Sequence, residues 1–377
     1  MSHAMSQTAV FRRSLVTSVL TSTVLLAAAS TARAQTITNL GALAPNHQSA
    51  QATGVSADGS VVAGMSGVQF FNNMRGFRWK NGSLTNLGAF SGSINVIAGA
   101  VSADGNWLAG SSFNADATIP FRWSESGGLQ DLRGPHGPDF GAEIYSISGN
   151  GSVVVGTGRW ADGDRAYRWS ESAGEQDLGT LPGGTYSWGA AVSANSQAVT
   201  GFSSNGTSEV AYVWTESTGM QALPSVGTNE FSAGLAISAD GSVVAGYEGL
   251  YAARWSNGTG LSLGTVDGGT FSVAYSISGD GLVIGGLGDN AAGDAVATIW
   301  TESLGMVDLN TYLPSLGVDL TGWSLSVTTG ISFDGTTIVG AGMYEGVERG
   351  WIVTVPAPGA AGLLGVAGLC AARTRRA

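Results

Sequence analysis

The stretch Val55–Gly64, VSADGSVVAG, decides how this chain is read. It recurs as VSADGNWLAG from Val101, ISGNGSVVVG from Ile147 and VSANSQAVTG from Val192. It recurs again as ISADGSVVAG from Ile237, ISGDGLVIGG from Ile277 and ISFDGTTIVG from Ile331. These seven copies begin 46, 46, 45, 45, 40 and 54 residues apart. A repeat of this length is the mark of a modular architecture, and four short strands per unit make that architecture a propeller.

Each copy reads as a β-hairpin, with a β-branched run on either side of an Asp-Gly or Asn-Gly pair. Such pairs favour primed turns, in which both central residues take positive φ. The turn aspartates Asp58, Asp104, Asp240, Asp280 and Asp334 supply one carboxylate each. A calcium loop needs several oxygen ligands converging on one ion, so a turn role is expected and no metal or other cofactor is called for.

After each hairpin comes a variable loop and then an aromatic strand: Phe77-Arg78-Trp79, Phe121-Arg122-Trp123, Tyr167-Arg168-Trp169, Tyr212-Val213-Trp214, Ala253-Arg254-Trp255, Thr298-Ile299-Trp300 and Trp351-Ile352-Val353. A feature present in every unit points to packing between blades and not to a single site. A Leu-ended strand follows, and a four-residue turn between the two would set Arg122 opposite Asp131 and Arg168 opposite Asp177. The last unit lacks this strand, while the N-terminal region holds an orphan one, Ile37–Gly41. A ring accounts for the offset, because the first strand then completes the last blade and removes the open edges. The strand before each turn is rich in Ala, Gly and Ser, as crowding near an axis requires. The expected fold is therefore all-β: a seven-bladed β-propeller of four-stranded antiparallel blades, closed by the N-terminal strand and spanning residues 35–355.

Fifty-nine glycines among 377 residues, with 43% hydrophobic and 11% charged residues, suit short strands and many turns and exclude a disordered chain. Residues 1–34 read as a secretory signal. Arg12 and Arg13 precede an apolar stretch from Leu15 to Ala29, and Ala32-Arg33-Ala34 forms an A-x-A cleavage site. At the other end, residues 356–377 hold Pro356 and Pro358, an apolar run from Ala360 to Ala372, and Arg373, Arg375 and Arg376. That run is about half the length a helix needs to cross a bilayer, and its basic end favours the cytoplasmic side. Removing both ends takes away six arginines and no acidic residue. The body is left with ten basic against 27 acidic residues, a formal −17. Such a surface repels phosphate backbones, so nucleic acid is an unsuitable partner. The only cysteine, Cys370, lies in the tail, so the body folds without a disulfide.

The C-terminal segment resembles the PEP-CTERM sorting signals of Gram-negative bacteria, with Ala357 where that motif carries Glu. The resemblance implies transient membrane insertion and a sorting protease as partner. The stretch Leu178–Ser187, LGTLPGGTYS, with Ala190-Ala191-Val192-Ser193 after it, is similar to the bacterial HAF repeat of extracellular proteins. So is the set Asp308-Leu309-Asn310, Pro314, Gly322-Trp323 and Ile331-Ser332. The resemblance runs from Gln35 to Ala377 and implies an exported protein without assigned catalytic residues.

No chemistry assembles from the residues themselves. His47 and His136 lie in unrelated loops, and no metal-ligand spacing, G-x-S-x-G elbow or phosphate loop is present. Ser56-Ala57-Asp58-Gly59 resembles the turn boxes of sialidases only in outline. Function is expected on the variable loops between hairpin and aromatic strand, with Phe70, Phe71 and Trp160 as the candidate binding rim for an extracellular polysaccharide or a surface protein. A non-catalytic, monomeric binding or structural protein is the first reading. A carbohydrate-active enzyme, using carboxylates near the axis, is the second.

Overall fold

Hydrogen bonding inside the Ser-x-Asp-Gly segment explains why it repeats. The buried Ser56 hydroxyl accepts from Val61 N–H at 3.0 Å and donates to Asp58 Oδ1 at 2.7 Å. Asp58 Oδ1 also accepts from Ser60 N–H, and Gly59 N–H closes the turn on Ser56 O. Asn150 and Asn195 accept the equivalent bonds through Oδ1. The expected primed turn is not formed. Of the Asp58-Gly59 pair only Gly59 has positive φ, +73°. The reason is loop length: four residues separate the paired Ser56 and Val61, so the reversal is spread out and the Ser and Asp side chains tie it.

The computed structural model describes residues 36–68, 73–115, 117–134, 141–227 and 231–356. They form seven four-stranded antiparallel sheets. Six are built in sequence order, from residues 49–86, 95–131, 142–177, 187–222, 232–264 and 272–308, and are called blades 1 to 6 here. Blade 7 consists of Trp323–Ile331, Thr337–Tyr344 and Val347–Thr354, completed by Ile37–Asn39. Ile37 pairs with Val353, Thr38 with Ile352 and Asn39 with Trp351, which is the expected clasp. Leu40 then buries itself with Ala52 and Val62 of blade 1 and Val339 of blade 7. The long connection before blade 7 contains a short helix, Leu309–Ser315, capped by the Asp308 carboxylate.

Closure is also visible at the axis. The seven hairpin turns are joined in a circle of backbone hydrogen bonds. Ala57 N–H donates to Ala103 O, Asp104 to Gly149, Gly149 to Ala194, Asn195 to Ala239, Ala239 to Gly279, Gly279 to Phe333, and Phe333 back to Ala57. All are 2.9–3.1 Å long. The innermost strand of every blade also carries a register shift, for example between Ile144 and Ser146. The last Gly of each decapeptide lies against this irregularity. A Cβ on Gly156 would sit 1.8 Å from Glu143 O, and one on Gly110 1.9 Å from Ile97 O. The repeat keeps glycine there because the innermost strand's carbonyl occupies the space of a side chain.

The hydrophobic cores lie between blades. Ala63 and Leu87 of blade 1 pack with Val96, Leu108, Phe121 and Trp123 of blade 2. Val155 and Leu178 of blade 3 pack with Val199, Tyr212 and Trp214 of blade 4. The aromatic strands are thus packing, as expected, and each fully buried ring contributes about 1.5–3 kcal/mol.

The cross-strand charge pairs are not formed. Asp131 lies opposite Phe121 and Asp177 opposite Tyr167, while Arg122 and Arg168 face Gln130 and Gln176. Ser124 pairs with Gly128, which leaves three turn residues and not four, and the register moves by one. Arg122 reaches instead to the next blade, where its Nη2 lies 3.1 Å from Glu171. Its guanidinium is held between Trp107 at 4.4 Å and Trp169 at 4.8 Å. Arg78 makes the same reach to Glu125, at 3.5 Å.

Candidate functional site

The two ends of the channel differ in chemistry. One end, the turn face, carries the Ser-x-Asp-Gly turns and the Arg-Glu contacts. Its axial mouth is a cavity of about 180 Å³ lined by Val and Ile side chains alternating with Ala and Gly, and by the half-exposed Phe333. The other end, the loop face, carries the variable loops and the links between blades. Among the described residues, exposed aromatics concentrate on that face and in the channel: Tyr186, Phe231, Tyr251 and Tyr275. Phe231 meets Tyr247 edge to face at 5.8 Å, and the Tyr186 hydroxyl donates to Glu209 at 2.7 Å.

The same face carries a stacked trio at the junction of blades 3 and 4. Tyr145 sits at the register shift of the innermost strand of blade 3, which turns it toward blade 4. Its ring stacks on Trp188 at 5.8 Å, and Trp188 stacks on Phe202 at 5.7 Å. The Tyr145 hydroxyl donates to Glu143 Oε2 at 2.7 Å. Burial pushes the Tyr145 hydroxyl well above the ordinary tyrosine range, and the bond to Glu143 adds to the shift, so it stays protonated and a donor. Next to the trio, Glu143, Asp164, Arg159, Thr157, Thr118 and Trp188 line a cavity of about 120 Å³. The site thus has flat rings, two carboxylates, a guanidinium and hydroxyls, which suits a hydroxyl-rich or peptide ligand. Among the described residues no three His, Cys, Asp or Glu side chains gather as a metal-ligating set.

The residues singled out from sequence fall in several places. Trp160 ends its strand on the loop face, half-buried against the core between blades 2 and 3. Phe70 and Phe71 lie outside the described residues, as do Ala32, Ala34, Pro358, Arg373, Arg375, Arg376 and His136. Pro356 is described and follows the last strand. His47 is buried and bonded to Ser66, and burial lowers its pKa, with Arg75 adding to the effect. Sequence reading passed over Tyr145 and Tyr275. The signal was present: both stand two residues before the Ile that opens a decapeptide, where the other copies carry Thr53, Gly99, Ala190, Leu235 and Thr329.

Comparison with known proteins adds the fold. No protein-family model and no curated protein matches the chain. Among solved structures, oligogalacturonate lyase from Vibrio parahaemolyticus is similar with a TM-score of 0.54 at 11% identity, over 85% of this chain and 93% of that one. The β-propeller domain of Cps50 (Swd1) from Myceliophthora thermophila gives 0.53 at 11% identity, over 85% and 100%. TolB from Acinetobacter baumannii gives 0.40 at 15% identity, and the chain spans about half of it, 51%. At such identities the likeness to the first two shows the propeller fold alone. No helix among the described residues is long and apolar enough to cross a membrane.

Proposed function

We propose that this protein is an exported, surface-sorted propeller without catalytic activity, whose loop face binds an extracellular polysaccharide or a surface protein. The observation that supports this reading is the gathering of Tyr186, Phe231 and Tyr251 on one end of the ring, with Tyr275 exposed in the channel. Exposed rings of this kind offer broad apolar area with little rotamer entropy to lose, and they anchor sugars and protein partners alike. Phe70, Phe71 and Trp160 belong to the same proposal, because the loops that carry them leave the blades on that face. Export rests on the A-x-A site at Ala32 and Ala34. Sorting rests on the tail with Pro356, Pro358, Arg373, Arg375 and Arg376, which resembles a PEP-CTERM signal, and the HAF-like repeats agree with an extracellular place. Incubation of the purified protein with intact cells, extracted matrix and an array of glycans tests the reading. Retention on at least one is expected, and retention on none overturns it.

One observation favours a second reading, a carbohydrate-active enzyme. Glu143 and Asp164 line one cavity beside Tyr145 at the end of the channel. Two carboxylates flanking a glycosidic bond are the machinery of most glycoside hydrolases. Release of reducing ends from a retained polysaccharide, abolished by Glu143→Gln, would establish it; retention without release rules it out.

A further inference from the structure

A second site lies on the turn face, in the groove between blades 3 and 4. It exists because the Arg-Glu contact between blades fails there. Arg78 reaches Glu125 and Arg122 reaches Glu171, each in the next blade. By the repeat, Arg168 should reach Glu216, yet Arg168 forms no ion pair among the described residues. Its one hydrogen bond is a 3.4 Å contact to Gln176 Oε1. Its Nε is buried without a partner. The ring that closes over Arg122 from its own blade is Trp107, and Val153 stands at that place in blade 3. The ring left to Arg168 is Trp214, at 5.9 Å. What remains is an open cavity of about 640 Å³ lined by Arg168, Glu175, Gln176, Gln197, Trp214 and Glu216, among others.

We propose that this groove is a saccharide subsite that takes neutral sugar units of an oligosaccharide or polysaccharide. The part-exposed Arg168 guanidinium lines the groove with one long hydrogen bond and no ion pair among the described residues, so its remaining N–H groups call for acceptors. An anion is disfavoured, because Glu216 already offsets the charge of Arg168 in this cavity and Glu171, paired with Arg122, and Glu175 add carboxylate oxygens to its wall. A cation is disfavoured by Arg168 itself. An apolar ligand would leave the remaining guanidinium N–H groups unmet. A sugar hydroxyl both accepts and donates, so neighbouring hydroxyls can take the Arg168 N–H and give to a carboxylate or to Gln176 and Gln197. The volume falls in the range of small-ligand sites, roughly 300–1,000 Å³. This site is independent of the loop face. With both occupied, one protein would bridge two polymer strands.

The test is a glycan array with neutral and uronic-acid glycans, probed with wild-type protein, with Arg168→Ala, with Glu216→Ala and with the loop-face variant Phe231→Ala. Hits are followed by titration of the matching free oligosaccharide, read by tryptophan fluorescence. At least one neutral glycan should bind. Its affinity should fall roughly tenfold to a hundredfold in Arg168→Ala, the worth of one or two hydrogen bonds to a charged group, and should stay unchanged in Phe231→Ala. Glu216 is exposed, so its variant keeps the fold and should also weaken binding even if Arg168→Ala fails to fold. Three results overturn the proposal: no neutral glycan bound, binding only to uronic acids, or neutral binding untouched by either groove variant. Neutral binding lost only in Phe231→Ala assigns the ligand to the loop face and also refutes the groove.

Discussion

Replacing Gly156 by Ala probes the physical origin of the repeat at a single atom. A Cβ there would lie 1.8 Å from Glu143 O, 2.8 Å from the carbonyl carbon and 2.9 Å from the Ile144 Cα, all of them backbone. Real Cβ contacts essentially never fall below 3.0 Å, so the innermost strand of blade 3 must retreat by about 1.2 Å, from 1.8 to 3.0 Å. That strand is hydrogen-bonded to Gly156's own strand and lies against the axis, so it has little room to yield. Overpacking of this kind costs about 1–3 kcal/mol, and each ladder bond lost adds about 1 kcal/mol. A loss of about 3 kcal/mol corresponds to a melting point lower by roughly 6–12 °C. Gly54→Ala is the control. Its nearest neighbour is 3.8 Å away and its φ is not positive, so the added methyl costs no space and stiffens the unfolded chain. Thermal melts followed by circular dichroism compare the two. Equal melting points for wild type and Gly156→Ala, or equal losses in both variants, would refute the bulge-and-glycine explanation.

Further expectations follow from the same structure. Leu40→Ala removes a buried anchor of the clasp and should cost about 2–4 kcal/mol in urea unfolding; no change would mean that the clasp does not hold the ring. Ser278→Ala leaves Val283 N–H without the hydroxyl that accepts from it and should cost about 1–3 kcal/mol, whereas Asp58→Asn, which copies Asn150 and Asn195, should change melting little. Acid should loosen the turns. Backbone N–H donation from Ser60 and Ser242 holds Asp58 and Asp240 below their ordinary pKa, and in Asp104 and Asp334 burial is the largest cause and acts upward, but the hydrogen bonds from Ser102 and Asn106, and from Ser332 and Thr336, together outweigh it. Folded-state values below the ordinary 3.8 mean that this stability is present above that pH and is lost as pH falls through the lowered values. Melting points taken from pH 6 to pH 2.5 should drop below about pH 4, and less steeply when all four are Asn; identical slopes would show that these carboxylates carry none of the acid sensitivity.

The architecture was legible because it rests on periodicity and counting. Seven decapeptides, seven aromatic strands and one displaced strand, Ile37–Asn39, determine a closed ring, and small residues mark its axis. What escaped depends on single-residue register. Whether the turn after Arg122 holds three or four residues decides which residue the arginine faces, and composition does not show it. The true partner, Glu171, lies one period away in another blade, which no local pattern indicates. The trio of Tyr145, Trp188 and Phe202 was hidden for a related reason. The irregularity in each innermost strand shifts the alternation of facing side chains, so Tyr145 turns toward Trp188 where simple period-two counting would not place it.

Retention on extracted extracellular matrix, compared between wild type and the triple variant Tyr186→Ala, Phe231→Ala, Tyr251→Ala, bears most directly on the loop face as the working surface. All three side chains are more than a third exposed, so substitution should move the melting point by no more than about 2 °C. Loss of aromatic anchors, at about 2 kcal/mol or more for each that serves as a hot spot, should lower retention at least tenfold. Unchanged melting with retention lost is the expected result; unchanged melting with retention intact would contradict the account.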